Sequence, residues 1–249
     1  MIRAVLFDLG NTLLEYSLQG RWREFLRQRL EEMYGEIADR ASRPCGGEAG
    51  EFAARVAEVI GGGRARAIER SGRSWHFRER LRAGLRAAGL SPDAELIERL
   101  TDIFYEPIRA CNKPYPDTTE VLNRLRSEGV RLAVITNAPW DTPARLLRGD
   151  VEQWGIGGFF DAFICSGEVP WRKPNPAFMV AAAEALGVPA RECVVVGDML
   201  ESDIAGARAA DMRSIWINPV GTTADASGAQ PDWMASNLTE AAARLSAAD

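Results

Sequence analysis

Two patterns of apolar residues divide the chain. Short apolar runs, typical of buried parallel strands, occur at the beginning of the chain and again throughout its second half. These runs lie at residues 4–7, 131–136, 160–165, 193–196 and 213–217. From residue 15 to residue 112 the apolar residues instead recur at helical spacing, which predicts helices and no strand. We therefore expect an α/β domain with a helical segment inserted after its first strand.

The predicted fold class is α/β, with a Rossmann-like parallel sheet. Strands and helices alternate after residue 113, and such alternation gives a parallel sheet with helices on both faces, a three-layer α/β/α core. Residues 1–14 and 113–249 are assigned to this core. Residues 15–112 are assigned to an inserted all-helical domain.

Capping and breaking residues predict where several helices begin and end. The glycines at 61–63 are expected to stop the second inserted helix. Ser91 and Pro92 are expected to begin the fourth inserted helix, which should end before Pro107. Asp203 is expected to be the N-cap of the short helix that follows it.

Polar stretches lie where four of the predicted strands and their loops should end. They contain Asp8, Thr136 with Asn137, Lys173, and Asp198 with Asp203. Because the carboxyl ends of parallel strands share one edge of a sheet, we expect these side chains to converge there. Carboxylates that outnumber nearby cations favour Mg²⁺, which binds few protein oxygens and completes its coordination with substrate phosphate oxygens. The lysine and the hydroxyl group would bind phosphate oxygens, so the set predicts phosphoryl chemistry.

The composition narrows the class of protein and its partners. A hydrophobic content of 46% and a charged content of 26% are typical of a globular protein. The net charge of −5 argues against general nucleic-acid binding, and no apolar run is long enough to span a membrane. The 4 cysteines include no CxxC pair, as expected for a reduced chain. We therefore expect a cytoplasmic protein with no nucleic-acid or membrane partner.

The polar stretches, taken in order, resemble the four motifs of the haloacid dehalogenase-like hydrolase superfamily. FDLGNTLL is similar to the first motif, VITNA to the second, KPNP to the third and GDMLESD to the fourth. Most members of this superfamily are phosphatases that work through an aspartyl-phosphate. The resemblance implies that the inserted helices correspond to the alpha-helical C1 cap of the superfamily. We expect a small phosphorylated metabolite as the substrate, and a monomer or homodimer.

The resemblance also implies a role for each residue that contacts the substrate. Asp8 is the expected nucleophile, which attacks phosphorus and forms a covalent intermediate. Lys173 is expected to bind both the phosphate and Asp8. Thr136 is expected to hold a phosphate oxygen through its hydroxyl group, assisted by backbone amides near Asn137.

A Mg²⁺ site is implied by the same resemblance. Its expected ligands are Asp8, Asp198 and the backbone carbonyl of Gly10. Asp203 is a further candidate, which would support either the metal or Lys173.

The first motif departs from the phosphatase pattern at Gly10. Phosphatases of this superfamily usually carry a second aspartate there, which protonates the leaving oxygen and then activates water. Glycine cannot transfer protons, so we expect either a slow phosphatase or another group in this role. Two alternatives stay open: a 2-haloacid dehalogenase-like hydrolase, and a protein that binds a phosphorylated ligand without turnover. The metal-binding pattern at Asp198 disfavours the dehalogenases, which need no metal.

Overall fold

Eight strands and ten α-helices make up the part of the chain described by the computed structural model, which is residues 1–17, 22–40, 48–221 and 228–247. The strands are β1 (Ala4–Phe7), β2 (Leu14–Tyr16), β3 (Asn112–Pro114), β4 (Arg131–Thr136), β5 (Ala162–Cys165), β6 (Cys193–Gly197), β7 (Arg213–Ile217) and β8 (Trp233–Ala235). The helices are α1 (Trp22–Arg40), α2 (Ala49–Gly61), α3 (Gly63–Arg70), α4 (Phe77–Ala87), α5 (Ala94–Ala110), α6 (Thr118–Ser127), α7 (Ala144–Gln153), α8 (Pro176–Leu186), α9 (Ala205–Ala209) and α10 (Leu238–Ala247).

Six of the strands form one sheet in the order β5-β4-β1-β6-β7-β8. Its neighbouring strands are all parallel, so their carboxyl ends meet at one edge. β1 lies inside the sheet, with Phe7 paired to Val134 of β4 on one side and to Val196 of β6 on the other. Asp8, which follows β1, therefore lies in the middle of that edge. The predicted α/β fold class is confirmed.

Helices cover both faces of the sheet. Successive residues of a strand point to opposite faces, so apolar side chains of β1 lie on each face and pack against helices there. On one face, Ala4 and Leu6 of β1 pack in a cluster with residues of α8 and α9. On the other face, Val5 and Phe7 belong to a cluster that includes residues of α6, α7 and α10. This second cluster also contains Leu30 of α1, so one hydrophobic core joins the inserted helices to the sheet.

β2 and β3 form a short antiparallel ribbon at the two ends of the inserted helices. Glu15 of β2 pairs with Lys113 of β3, and their side chains form an ion pair of 3.0 Å. The expectation that residues 15–112 contain no strand is therefore wrong. Each strand of the ribbon has 3 residues, which is too short to show the alternation of apolar and polar residues that reveals a strand in a sequence.

The limits of the inserted helices agree with the prediction at α2 and differ at α5. α2 ends at Gly61 as expected, and α3, which no prediction covers, begins at Gly63. Ser91 does not cap α5. Asp93 is the N-cap instead, and its side chain accepts a hydrogen bond of 2.7 Å from the amide of Leu96.

α5 continues through Pro107 to Ala110, so the expected end of this helix is wrong. Proline has no amide hydrogen, and the carbonyl of Ile103, four residues earlier, loses its partner within the helix. Nη2 of Arg29 in α1 donates to that carbonyl at 3.1 Å. A side chain from another helix therefore compensates for the lost hydrogen bond.

The second half of the chain also departs from the prediction in detail. Leu200–Ile204 forms a π-helical turn and α9 begins at Ala205, so Asp203 is not an N-cap. β5 begins at Ala162 rather than at residue 160, and no prediction covers β8 or α7. Within the described residues, we find no helix with the length and apolar character needed to cross a membrane.

Candidate active site

Lys173 lies at the centre of a buried cluster of charged side chains at the sheet edge. Its ammonium nitrogen is 2.5 Å from Oδ1 of Asp8 and 2.6 Å from Oδ1 of Asp203. It also donates to the carbonyl of Ile135 in β4, at 3.1 Å. Asp8, Lys173 and Asp203 are all buried. The structure therefore brings together side chains from three of the predicted polar stretches.

Asp203 is held in position by its own loop. Its Oδ2 accepts a hydrogen bond of 3.0 Å from the amide of Met199, while Oδ1 accepts from Lys173. Gly197, the last residue of β6, approaches it so closely that a Cβ on residue 197 would be 2.4 Å from Cγ of Asp203. A side chain at this position would displace the carboxylate, which explains the glycine. With both oxygens engaged, Asp203 is arranged to hold Lys173.

The second polar stretch holds the backbone of Lys173. Nδ2 of Asn137 donates to the carbonyl of Lys173 at 3.0 Å, and the amide of Lys173 donates to Oδ1 of Asn137 at 2.9 Å. Thr136, the last residue of β4, is buried beside the end of β1. Because the side chain of Asn137 is occupied by Lys173, a phosphate contact from Asn137 would come from its backbone amide.

Crowding raises the pKa of two predicted metal ligands. Burial, with the charges of Asp203 and Asp198, raises the pKa of Asp8 to about 8, although Lys173 lowers it. Burial and the charge of Asp203 raise the pKa of Asp198 to about 6, against the opposing effects of Lys173 and a hydrogen bond from Asn11. Burial lowers the pKa of Lys173, but Asp203 and Asp8 more than offset this, and the pKa of Lys173 is raised. The cluster therefore carries more negative charge than Lys173 neutralises.

This donor set fits a divalent cation. Asp8, Asp198 and Asp203 each offer an oxygen, and these oxygens lie within 4.8 Å of one another. Oδ1 of Asn11, a buried oxygen three residues after the nucleophile candidate, has no hydrogen-bond partner among the described residues. Carboxylate and amide oxygens in an excess of negative charge are the surroundings that Mg²⁺ prefers. The residues present therefore fit a Mg²⁺ ion, and the ligand set of Asp8, Asp198 and the Gly10 carbonyl stays a prediction.

Comparison with known proteins identifies the family of this chain. The family model for haloacid dehalogenase-like hydrolases matches residues 2–211. The chain belongs to the haloacid dehalogenase-like hydrolase family. The resemblance inferred from the motifs is confirmed, and the match extends across the inserted helices.

Curated relatives of this hydrolase include named phosphatases. The chain is 32% identical over 218 residues to the phosphoglycolate phosphatase of Pectobacterium atrosepticum. The aligned residues cover 86% of this chain and 79% of the relative. It is 35% identical over 137 residues to the glyceraldehyde 3-phosphate phosphatase of Methanopyrus kandleri. Here the aligned residues cover 53% of this chain and 55% of the relative. The chain therefore spans about half the length of the latter relative, and about half the length of two further curated relatives.

Solved structures of the family include both phosphatases and dehalogenases. A phosphatase of this family from Thermococcus onnurineus is 26% identical, with a TM-score of 0.64 and coverage of 98% of each chain. A 2-haloacid dehalogenase from Pseudomonas syringae is 25% identical, with a TM-score of 0.68 and coverage of 100% of each chain. Since both kinds of enzyme have this fold, the fold does not decide between the two reactions.

Gly10, the position at which this hydrolase departs from the phosphatase motif, is bordered by Tyr16. A Cβ on residue 10 would lie 3.7 Å from two ring carbons of Tyr16, which is an ordinary contact. The hydroxyl of Tyr16 donates to Oδ2 of Asp150 at 2.9 Å, and Tyr105 donates to the same oxygen at 2.6 Å. No local pattern in the sequence links these residues, because they come from β2, α5 and α7. A Cβ at residue 10 would therefore clash with neither ring carbon.

Proposed function

We propose that this hydrolase is a Mg²⁺-dependent phosphatase that cleaves a small phosphorylated metabolite, a phosphoric monoester, through an aspartyl-phosphate. The observation that carries the proposal is the buried contact of 2.5 Å between Lys173 and Asp8 at the end of β1. A carboxylate nucleophile beside an ammonium group suits attack on an anionic phosphoryl group. The printed names of the curated relatives, phosphatases for phosphoglycolate and for glyceraldehyde 3-phosphate, support this class of substrate.

In the first step, Asp8 attacks the phosphorus atom. A bond forms between a carboxylate oxygen of Asp8 and phosphorus, the bond from phosphorus to the ester oxygen breaks, and the leaving oxygen takes up a proton from water, because Gly10 offers no acid. Lys173, which touches Asp8, would bind a phosphoryl oxygen and so reduce the repulsion between the two anions. Thr136 and the backbone amides near Asn137 would bind the remaining phosphoryl oxygens.

In the second step, water attacks the phosphorus atom of the aspartyl-phosphate, and Asp8 leaves as a carboxylate. A general acid–base group that serves such proton transfers contributes about 10²–10⁴-fold to a rate. Gly10 stands where phosphatases of the superfamily carry this group. We therefore expect slow turnover, fastest with substrates whose leaving group needs little protonation.

Mg²⁺ is part of the proposal. Asp8, Asp198 and the backbone carbonyl of Gly10 would hold the cation, while Asp203 would keep Lys173 in place. A bound Mg²⁺ neutralises charge on the phosphoryl oxygens. Asp8 must be ionised to attack, and because its pKa is about 8, the nucleophile depends on added positive charge at neutral pH.

We further propose that residues 15–112 form a cap, and that residues 1–14 and 113–249 form the core. The β2–β3 ribbon supports this division because it joins the two connections of the inserted helices. A cap closes over an active site and contributes to the choice of leaving group. The proposal includes a cytoplasmic monomer or homodimer without a nucleic-acid partner, since a net charge of −5 disfavours polyanions.

Assays of Asp8→Asn test the proposed function. The wild-type protein should hydrolyse p-nitrophenyl phosphate with Mg²⁺, and EDTA should abolish this activity. Asp8→Asn should have no turnover, while the control Asp93→Asn, which keeps a residue able to cap α5, should match the wild type. Full activity of Asp8→Asn would contradict the proposal. If the wild-type protein is active and Asp8→Asn is not, a screen of phosphorylated metabolites with and without Mg²⁺ would identify the substrate.

A 2-haloacid dehalogenase is the second candidate, favoured by the absence of an acid–base side chain at Gly10. In that reaction water attacks the carboxyl carbon of an ester on Asp8, so turnover in ¹⁸O water would label Asp8. In the proposed phosphatase reaction water attacks phosphorus, and Asp8 stays unlabelled. Labelled Asp8, with haloacid turnover that needs no metal, would favour the dehalogenase.

The other open alternative is a protein that binds a phosphorylated ligand without turnover. The intact set of Asp8, Lys173 and Asp203 argues for catalysis, since a binding site does not require a nucleophile. Tight binding of inorganic phosphate without hydrolysis of any phosphorylated metabolite in the screen would favour this alternative.

A further inference from the structure

A second buried carboxylate, Asp141, joins the inserted helices to the loop that carries Lys173. Asp141 is 0% exposed and belongs to the turn Pro139–Asp141, which follows β4. Its Oδ2 accepts a hydrogen bond of 2.7 Å from Arg80 of α4. Its Oδ1 accepts one of 3.2 Å from Arg172. Asp141 therefore contacts one arginine of the insert and one arginine next to the proposed phosphate-binding lysine.

Arg80 is itself fully buried, so its charge depends on these contacts. It donates to the carbonyls of Ile60, at 2.9 Å, and Trp75, and it lies 2.8 Å from Oε1 of Glu69. Glu69 is also 3.4 Å from Arg172, but its side chain is 28% exposed. Asp141 is thus the fully buried counter-charge of this group. A buried arginine that loses such a partner is strongly destabilised, which ties the position of α4 to Asp141.

The loop before Lys173 is also paired with the insert through its backbone. The amide of Ser74, between α3 and α4, donates to the carbonyl of Pro170 at 3.0 Å. The amide of Arg172 donates to the carbonyl of Gly72 at 3.1 Å. The insert therefore contacts this loop up to the residue that immediately precedes Lys173.

We propose that Asp141 is a positioning residue that fixes the insert and the loop 169–172 to one another, and that this docking adds to the contacts from Asp203 and Asn137 that hold Lys173 beside Asp8. This inference rests on the proposed function, in which Lys173 binds the transferred phosphoryl group. Arg172 transmits the position, because its side chain is bonded to Asp141 and its backbone is continuous with Lys173. Docking of the insert then contributes to the placement of the lysine.

The test compares Asp141→Asn with Glu69→Gln. Each variant removes a negative charge that contacts Arg80 and Arg172, but the side chain of Glu69 is 28% exposed while that of Asp141 is 0% exposed. Solvent screens the ion pairs of Glu69, so losing them should matter less. Asparagine tolerates the left-handed backbone of residue 141, where φ is 56°. We expect Asp141→Asn to lower kcat by about 10–100-fold with a smaller change in KM, as for other residues that orient a catalytic group. Glu69→Gln should keep a kcat close to that of the wild type.

Hydrogen–deuterium exchange without substrate gives a readout that does not depend on turnover. Asp141→Asn should speed exchange in both residues 72–76 and residues 169–172, while Glu69→Gln should leave both protected. Faster exchange in only one of the two segments, or a wild-type kcat for Asp141→Asn, would overturn the proposal. If the wild-type protein has no phosphatase activity, the proposed function fails, but the exchange measurement still decides whether the two segments are coupled.

A double variant covers the case in which Asp141→Asn does not fold. Arg80→Met with Asp141→Asn removes both members of the buried pair, and replacing a whole pair is better tolerated than removing one partner. This variant should fold, with a reduced kcat and with faster exchange in the loop 169–172. A wild-type kcat and a protected loop in the double variant would contradict the proposal as directly as the single variant.

Discussion

Replacing Lys173 by methionine tests the charge balance of the candidate site. Methionine keeps most of the length of the side chain and removes its charge. Lys173 contacts Asp8 at 2.5 Å and Asp203 at 2.6 Å, and none of the three side chains is more than 10% exposed. Removing one partner from a buried ion pair costs about 3–5 kcal/mol. We therefore expect the free energy of unfolding to fall by about 3–5 kcal/mol, and Tm by about 6–20 °C for a chain of this size.

Urea denaturation followed by circular dichroism, in a buffer with EDTA, measures this loss of stability. In a parallel assay with Mg²⁺, phosphate release should fall by about 10²–10³-fold, because an electrostatic contact to the transferred group is lost. Lys113→Met is the matched control, since the side chain of Lys113 is 68% exposed and pairs only at the surface with Glu15. It should change the free energy of unfolding by about 0–1 kcal/mol.

Equal free energies of unfolding for Lys173→Met and Lys113→Met would refute this charge balance. That result would mean that Asp8 and Asp203 do not need a cation when they are buried. A destabilised Lys173→Met that retains wild-type turnover would refute the second half of the argument, the contact between Lys173 and the phosphoryl group.

Further predictions concern protons, metal and the missing acid. Burial raises the pKa of Asp8 to about 8 and that of Asp198 to about 6, so the folded state binds protons that the unfolded chain has released. In EDTA, the free energy of unfolding should therefore fall as the pH rises from about 5 to about 8, and urea titrations of Asp8→Asn should show a flatter dependence. Mg²⁺ should raise Tm more at about pH 8 than at about pH 5, because the cation competes with protons for the carboxylates. An equal shift of Tm at the two pH values would contradict this. Gly10→Asp should increase kcat by up to about 10²-fold, while Gly10→Ala should not; equal rates for the two variants would show that a side chain at residue 10 does not limit turnover.

Local patterns were enough to predict five of the six strands of the sheet and the edge at which the candidate site lies. The runs at 131–136 and 213–217 form strands as predicted, because a strand buried on both faces needs a continuous apolar stretch. Parallel strands place their carboxyl ends together, and this is why Asp8 and Lys173 could be expected to meet. The roles of these residues in catalysis stay predictions until the variants are measured.

Features that depend on contacts between distant residues could not be predicted in this way. α5 passes through Pro107 because Arg29 of another helix satisfies the carbonyl of Ile103. Asp141 accepts its hydrogen bond from Arg80, which is 61 positions away in the chain, and no local pattern distinguishes this aspartate from one in an exposed turn. The β2–β3 ribbon was missed for the related reason that its pairing, rather than its composition, makes it a strand.

Chemical trapping of the covalent intermediate tests the central claim most directly. The wild-type protein is mixed with Mg²⁺ and p-nitrophenyl phosphate, quenched with acid during turnover and treated with borohydride, which reduces an aspartyl-phosphate to homoserine. Peptide mass spectrometry should then find homoserine at position 8, and only in samples that contained the substrate. Turnover that leaves position 8 as unmodified aspartate, with homoserine at another aspartate, would contradict the claim that Asp8 is the nucleophile.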